Sequence, residues 1–121
     1  MPVIVGHGQL ASIPEERISD KITRKVMSGK QGMMVWWHFD AGGRAAAHKH
    51  PHEQLSWMIK GRMELRIGDQ TRSMVAGDLA VIPGGVEHEA YFPDETEIVD
   101  VFTPVREDFL TGGSPAYMKP A

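Results

Sequence analysis

From Gly32 onward the apolar and polar side chains alternate with a period close to two, the repeat of a half-buried β-strand. Met33-Met34-Val35-Trp36-Trp37-His38-Phe39 forms one such run and ends at Asp40-Ala41-Gly42-Gly43. Gln54 to Lys60 forms a second and stops at Gly61. Met63 to Ile67 reaches Gly68-Asp69, a hairpin-type pair from which Gln70 to Val75 returns. Leu79 to Ile82 lies between Gly77-Asp78 and Pro83-Gly84-Gly85, and Pro93-Asp94 divides His88–Phe92 from Glu97–Phe102. With a strand through His48, the pattern predicts seven or eight strands and an all-β sandwich or barrel. The one helix-like signal covers residues 14–28, where Ile18, Ile22 and Val26 recur at four-residue spacing behind a capping Ser12. A single turn, or a loop leading into a strand, fits those residues equally well. Adjacent Trp36 and Trp37 must face opposite ways on a strand, so at most one lines an interior pocket, and the other is free to meet a dimer partner. The Met and Trp residues otherwise suit a core.

A chain of 121 residues is the size of one domain and buries a core without disulfide staples. The barrel core spans about residues 32–104, after an N-terminal strand or loop (1–31) and before a C-terminal segment (105–121) whose Thr111-Gly112-Gly113-Ser114-Pro115 reads as a loose tail. The absence of Cys excludes thiolate metal sites, iron–sulfur clusters and a Cys nucleophile. A net charge of −3 without a basic run argues against nucleic acid as a partner, and no apolar run nears membrane-spanning length. The N-terminus lacks the basic region and apolar stretch of a signal peptide, so the expected location is the cytoplasm.

Four of the six His residues fall between positions 48 and 88. On a strand, His48 and His50 point the same way, and Gln54 shares their parity if the strand continues past Pro51. Two same-face imidazoles are good ligands for a divalent metal, and His88, following the Pro83-Gly84-Gly85 turn, is the natural third. A solvated polar tract through His48, His50 and His52 is the competing reading, and a lone His88 also fits an ordinary hydrogen-bonded histidine. His7, His38 and His52 carry no assigned role.

The spacing of these residues resembles the two cupin motifs. Gly42, His48-x-His50, Gln54 and Gly61 match the first, with Gln54 where that motif has Glu. Gly77, Pro83-x-Gly85 and His88 match the second, with Phe92 where Asn is usual. The resemblance implies a single-domain cupin (RmlC-like) jelly-roll β-barrel with a metal held by His48, His50, Gln54 and His88. Three His and one Gln leave the full +2 charge on the ion, which sharpens its acidity and weakens its retention. Fe, Mn, Co, Ni and Zn all suit a mixed N/O set. Glu53 has the wrong parity to join it.

On the last strand, Asp100 and Phe102 share one face, and Val99 and Val101 share the other. An inward carboxylate is costly unless it is paired or does chemistry. Arg106, past Pro104, can fold back over the barrel mouth and grip a carboxylate, or it can form an ordinary ion pair with Asp100. The run Asp100-x-Phe102-Thr103-Pro104-x-Arg106-Glu107-Asp108-Phe109-Leu110 resembles the ending of the KdgF-type cupins. Those proteins convert 4,5-unsaturated monouronates, released from pectin or alginate, into the linear keto-uronate. The resemblance implies catalytic or pocket roles for Asp100, Phe102 and Arg106, and a small carboxylated sugar as substrate. A metal-dependent cupin dioxygenase and a non-catalytic ligand-binding cupin are the alternatives. Small cupins often dimerise through N-terminal strands, and Met1 to Val5 is short, apolar and suited to a homodimer edge.

Overall fold

The structure, a computed structural model, describes residues 6–111 and 115–118. Ten strands follow one another: β1 (Glu16–Ser19), β2 (Ile22–Ser28), β3 (Met33–Phe39), β4 (Gly43–His48), β5 (Glu53–Lys60), β6 (Arg62–Ile67), β7 (Gln70–Val75), β8 (Leu79–Ile82), β9 (His88–Phe92) and β10 (Thr96–Thr103). A single helical turn, α1 (Glu107–Leu110), and 3-10 turns at Leu10–Ser12 and Ala116–Met118 complete the described chain. The strands form two sheets, β1-β2-β3-β10-β5-β8 and β4-β9-β6-β7, packed as a jelly-roll barrel. The last strand, β10, is inserted between β3 and β5. The all-β expectation holds, and every strand read from alternation is present within a residue or two.

The helix-like stretch is instead the hairpin β1–β2. A four-residue spacing is also an even spacing, so Ile18, Ile22 and Val26 can line one face of extended strands. Ile22 sits opposite Phe39 and Val26 opposite Val35 on β3, and all four are buried. Burial against a neighbouring strand outweighs weak local helix signals. Gly42, Gly61, Gly77 and Gly85 take positive φ at strand exits, as expected of the turns they mark.

The core lies between the sheets. Phe39 of β3 stacks on Phe92 of β9 at 3.8 Å between ring centroids and 11° between planes, joining one sheet to the other. Val35, Met58, Ile82 and Phe102 fill the space around them. Each such side chain contributes about 1.5–3 kcal/mol by leaving water. Trp37 points inward and is buried, while Trp36 is on the other face of β3.

The two outer faces differ in kind. The outer face of the four-stranded sheet is polar and laced with ion pairs, Arg66 with Glu87 and Glu89 and Arg62 with Glu64. The six-stranded sheet carries two apolar rows outside. Met27, Met34, Val101, Leu55 and Val81 align across five strands, and Trp36, Val99, Trp57 and Leu79 align beside them. Trp57 is 51% exposed, Leu79 74% and Val81 56%. Met1–Val5, expected to form a dimer edge, lies outside the described residues.

Candidate metal centre

His48, His50 and His88 come together at one end of the barrel, by three different local devices. His48 ends β4, opposite His88, which begins β9. Between the pairs Ala45–Ala90 and His48–His88, β4 spends three residues while β9 spends two. This bulge resets the alternation: counted strictly from the inward Ala45, His48 would face solvent. His50 is not on a strand. It sits in the connection between β4 and β5, because Pro51 ends the pairing. The expectation that His48, His50 and Gln54 share one strand face is therefore corrected. Gln54 lies on β5, in the opposite sheet, and reaches the same point from across the barrel. The two motif segments touch: the Gly85 N–H donates to the His50 carbonyl at 2.8 Å. Gly84 packs so closely on the Pro51 carbonyl that a Cβ there would collide with it.

All three rings are oriented alike. The Nδ1–H of His48 donates to the Ala46 carbonyl at 2.7 Å, that of His50 to the His52 carbonyl at 3.1 Å and that of His88 to the Val86 carbonyl at 2.9 Å. A carbonyl only accepts, so Nδ1 bears the proton and each Nε2 keeps its lone pair. Burial holds His48 and His50 down at about 4 and also lowers His88, with the Arg106 cation adding to the effect at all three. The rings are thus neutral, the ligand form. Their ligand-type atoms lie within 4.8 Å of one another.

The donor set fits a divalent cation. His88 Nε2 is buried without a hydrogen-bond partner. His50 Nε2 and Gln54 Oε1 face each other at 3.2 Å, two lone-pair atoms once Nδ1 carries the proton. A cation satisfies both at once, as it does the orphan nitrogen. A second group, His38, Asp40 and Glu95, also brings ligand-type atoms within 4.8 Å. There Lys60 Nζ sits 2.7 Å from Glu95, so the cluster is a surface ion-pair network. His38 points out of the barrel, and His7 is exposed. His52 lies beside the Arg106 cation.

Asp100 and Phe102 occupy inward positions of β10 beside this set, directly opposite Ser56 and Gln54 of β5. Ser56 Oγ–H donates to Asp100 Oδ1 at 2.6 Å, and the Gln54 NH2 donates to Ser56 Oγ at 3.3 Å. Burial pushes the Asp100 carboxyl up to about 6, against the opposing pull of hydrogen bonds from Ser56, Gln54 and Trp37. Val99 and Val101 face outward, as their parity requires.

Arg106 does fold back over the mouth, and it is buried. Its ion pair is with Asp108, through Nε at 3.2 Å and Nη2 at 2.7 Å, rather than with Asp100. Its guanidinium lies 4.0 Å from the Phe109 ring and 5.1 Å from Phe102. Phe109 is gripped from elsewhere by the buried Arg24, 4.4 Å away, which anchors α1 and Arg106 with it. The C-terminal segment was expected to be a loose tail. Of that stretch Thr111 and Pro115 are described and 112–114 are not, but Tyr117 beyond it stacks on His48 at 3.6 Å and 2°, and Met118 joins the core. Neither residue carries a signal in the sequence, since a lone aromatic after a Gly-Gly-Ser-Pro stretch has no periodicity to read. His48, Gln54, Ser56, His88, Asp100 and Arg106 share the lining of a cavity of about 50 Å³, room for an ion with a few waters.

A family model for the cupin domain matches residues 35–102. The chain belongs to the cupin family. An RmlC-like cupin from Shewanella frigidimarina NCIMB 400 superposes with a TM-score of 0.85 at 27% identity, covering 90% of this chain and 99% of that one. KdgF from a Halomonas species superposes at 0.78 and 25% identity, covering 85% of this chain and 99% of that one. An uncharacterized protein of Streptomyces coelicolor is 24% identical over 66 residues, 54% of this cupin and 63% of the relative's length. The jelly-roll fold of this cupin is the fold these solved relatives share with it. No helix among its described residues is long and apolar enough to cross a membrane.

Proposed function

We propose that this cupin is a metal-dependent enzyme that opens 4,5-unsaturated monouronates to the linear keto-uronate. The observation that carries the reading is that His48, Gln54 and His88 line one small cavity with a buried Asp100 whose carboxyl is raised to about 6, and that His50 brings its ligand atom to the other two histidines. The likeness to the Halomonas KdgF supports it. A divalent transition metal held by His48, His50, Gln54 and His88 supplies Lewis acidity to a substrate oxygen. Arg106, its guanidinium already set edge-on to Asp108, binds the substrate carboxylate. Phe102 walls the ring on its apolar side. Asp100, its carboxyl raised to about 6, passes a proton to the ring carbon and regains one from the water that adds to the neighbouring carbon, and the hemiketal opens to the ketone as the ring C–O bond breaks.

The test follows the double-bond absorbance of a lyase-generated unsaturated monouronate, with metal-free and metal-loaded protein. Metal-dependent loss of the signal supports the reading. An unchanged signal refutes it, and oxygen uptake by the Fe-loaded protein would then favour the dioxygenase.

We also propose that the cupin is a homodimer that pairs the outer faces of two six-stranded sheets. Nine apolar residues in two outward rows span roughly 290 Å², or roughly 650 Å² with Lys25 and the flanking polar rows. That approaches the ~800 Å² per partner of a standard interface. A patch that meets its own copy suits a two-fold axis. Light scattering of wild type and Trp57→Lys tests it: the dimer mass should fall to 13.4 kDa in the variant, and a wild-type monomer would refute the pairing.

A further inference from the structure

The proposed ligand set contains one member whose useful atom is not self-selecting. An imidazole is oriented by its Nδ1–H bond, but an amide offers either an oxygen or an NH2 to the same point. In Gln54 the oxygen faces His50 and the nitrogen faces Ser56. Nothing in the shape of the side chain dictates that choice, because the two ends are nearly isosteric.

Hydrogen-bond polarity dictates it. Ser56 has a single proton, and at 2.6 Å that proton goes to Asp100, since a carboxylate can only accept. The Ser56 oxygen is then an acceptor toward its other neighbour. A Gln54 carbonyl at 3.3 Å would set oxygen against oxygen, whereas the NH2 donates. All of these groups are buried, so a mismatched pair is costly. We propose that Ser56 is a positioning residue: by giving its only proton to Asp100, it takes the Gln54 NH2 as a donor and turns the Gln54 carbonyl oxygen toward the His48–His50–His88 triad.

This rests on the metal reading above and deepens it. It also accounts for an amide at position 54. A carboxylate there could present an oxygen to the triad, but it has no proton to give Ser56 and would stand against Asp100. The amide is an adaptor, acceptor on the metal side and donor on the acid side.

The experiment measures binding of Co²⁺ alone by calorimetry, together with the Co²⁺ absorption spectrum, for Ser56→Ala and Ser56→Thr. Each is made in the wild-type chain and in Gln54→Glu. Ser56→Ala should weaken Co²⁺ binding about 10- to 100-fold, the usual cost of losing a group that orients a ligand, and should alter the spectrum. Ser56→Thr, which keeps the hydroxyl, should restore both. In the Gln54→Glu background, where both oxygens are equivalent, Ser56→Ala should change affinity by less than about threefold, because no amide remains to be oriented. Unchanged affinity in Ser56→Ala overturns the proposal. So does an equal loss in both backgrounds, or a folded Ser56→Thr that behaves like Ala. A wild-type chain that binds no Co²⁺ overturns it together with the metal reading. A chain that binds Co²⁺ but leaves the monouronate intact overturns the proposed activity and leaves the role of Ser56 standing.

Discussion

Replacing Asp100 with Asn should make the metal-free protein more stable while abolishing its activity. Asp100 is 6% exposed, and burial raises its carboxyl from 3.8 to about 6. A folded-state value above the unfolded one means that the native state holds the proton more tightly. Its stability contribution is therefore complete below pH 3.8 and is lost as pH rises through about 6. A shift of about two units costs folding about 3 kcal/mol at neutral pH. Asn is isosteric, cannot ionise and still offers Ser56 an acceptor oxygen. The gain is about 3 kcal/mol, or roughly 9–15 °C in Tm for a domain of this size. Calorimetry on EDTA-treated protein at pH 7.5 should show it, and at pH 4 the gain should shrink below about 1 kcal/mol because the wild-type carboxyl is then protonated in the native state. Equal or lower stability of Asp100→Asn at pH 7.5, or a gain that ignores pH, refutes the reasoning. Retained turnover by Asp100→Asn refutes the catalytic role.

With His48 and His50 held at about 4, protons compete for the ligand nitrogens only well below the usual histidine range. Co²⁺ should therefore remain bound at pH 5, and calorimetry that finds release centred near 6.5 contradicts the burial argument. Gly84→Ala drives a Cβ into the Pro51 carbonyl and should displace His50. The expected result is at least tenfold weaker Co²⁺ binding and a loss of about 1–3 kcal/mol, read by titration and chemical denaturation. Tyr117→Ala removes the ring stacked on His48 and should cost about 1 kcal/mol in the same denaturation assay.

The strands were legible because alternation and turn residues survive in a linear reading. Every run from Met33 onward that alternates became a strand, and Trp36 and Trp37 face opposite ways as expected, Trp37 being the inward one. The hairpin β1–β2 was obscured because a spacing of four satisfies both a helix and a strand. The residues of the candidate site could be named from their spacing, but the way they converge could not. The bulge that turns His48 inward adds one residue to β4 and leaves no mark in composition. The alternative of an Arg106–Asp100 ion pair gave way to a pair with Asp108, two residues on, at the turn of α1. Ser56 was invisible, because a lone Ser on an alternating strand gains meaning only from the strand that pairs with it.

The position of β10 bears on how the protein is made. It is the last of the described strands to be synthesised, yet it lies between β3 and β5 and pairs with both. Until residues 96–103 leave the ribosome, the larger sheet exists as two fragments, each with an open hydrogen-bonding edge. Neither fragment can close the barrel, so the nascent chain waits for its final strand before it is committed to the fold. That strand also carries Asp100, so the acid arrives in the same event that seals the sheet. A chain cut short before Thr96 would therefore lose the central seam of its larger sheet, and not merely a tail.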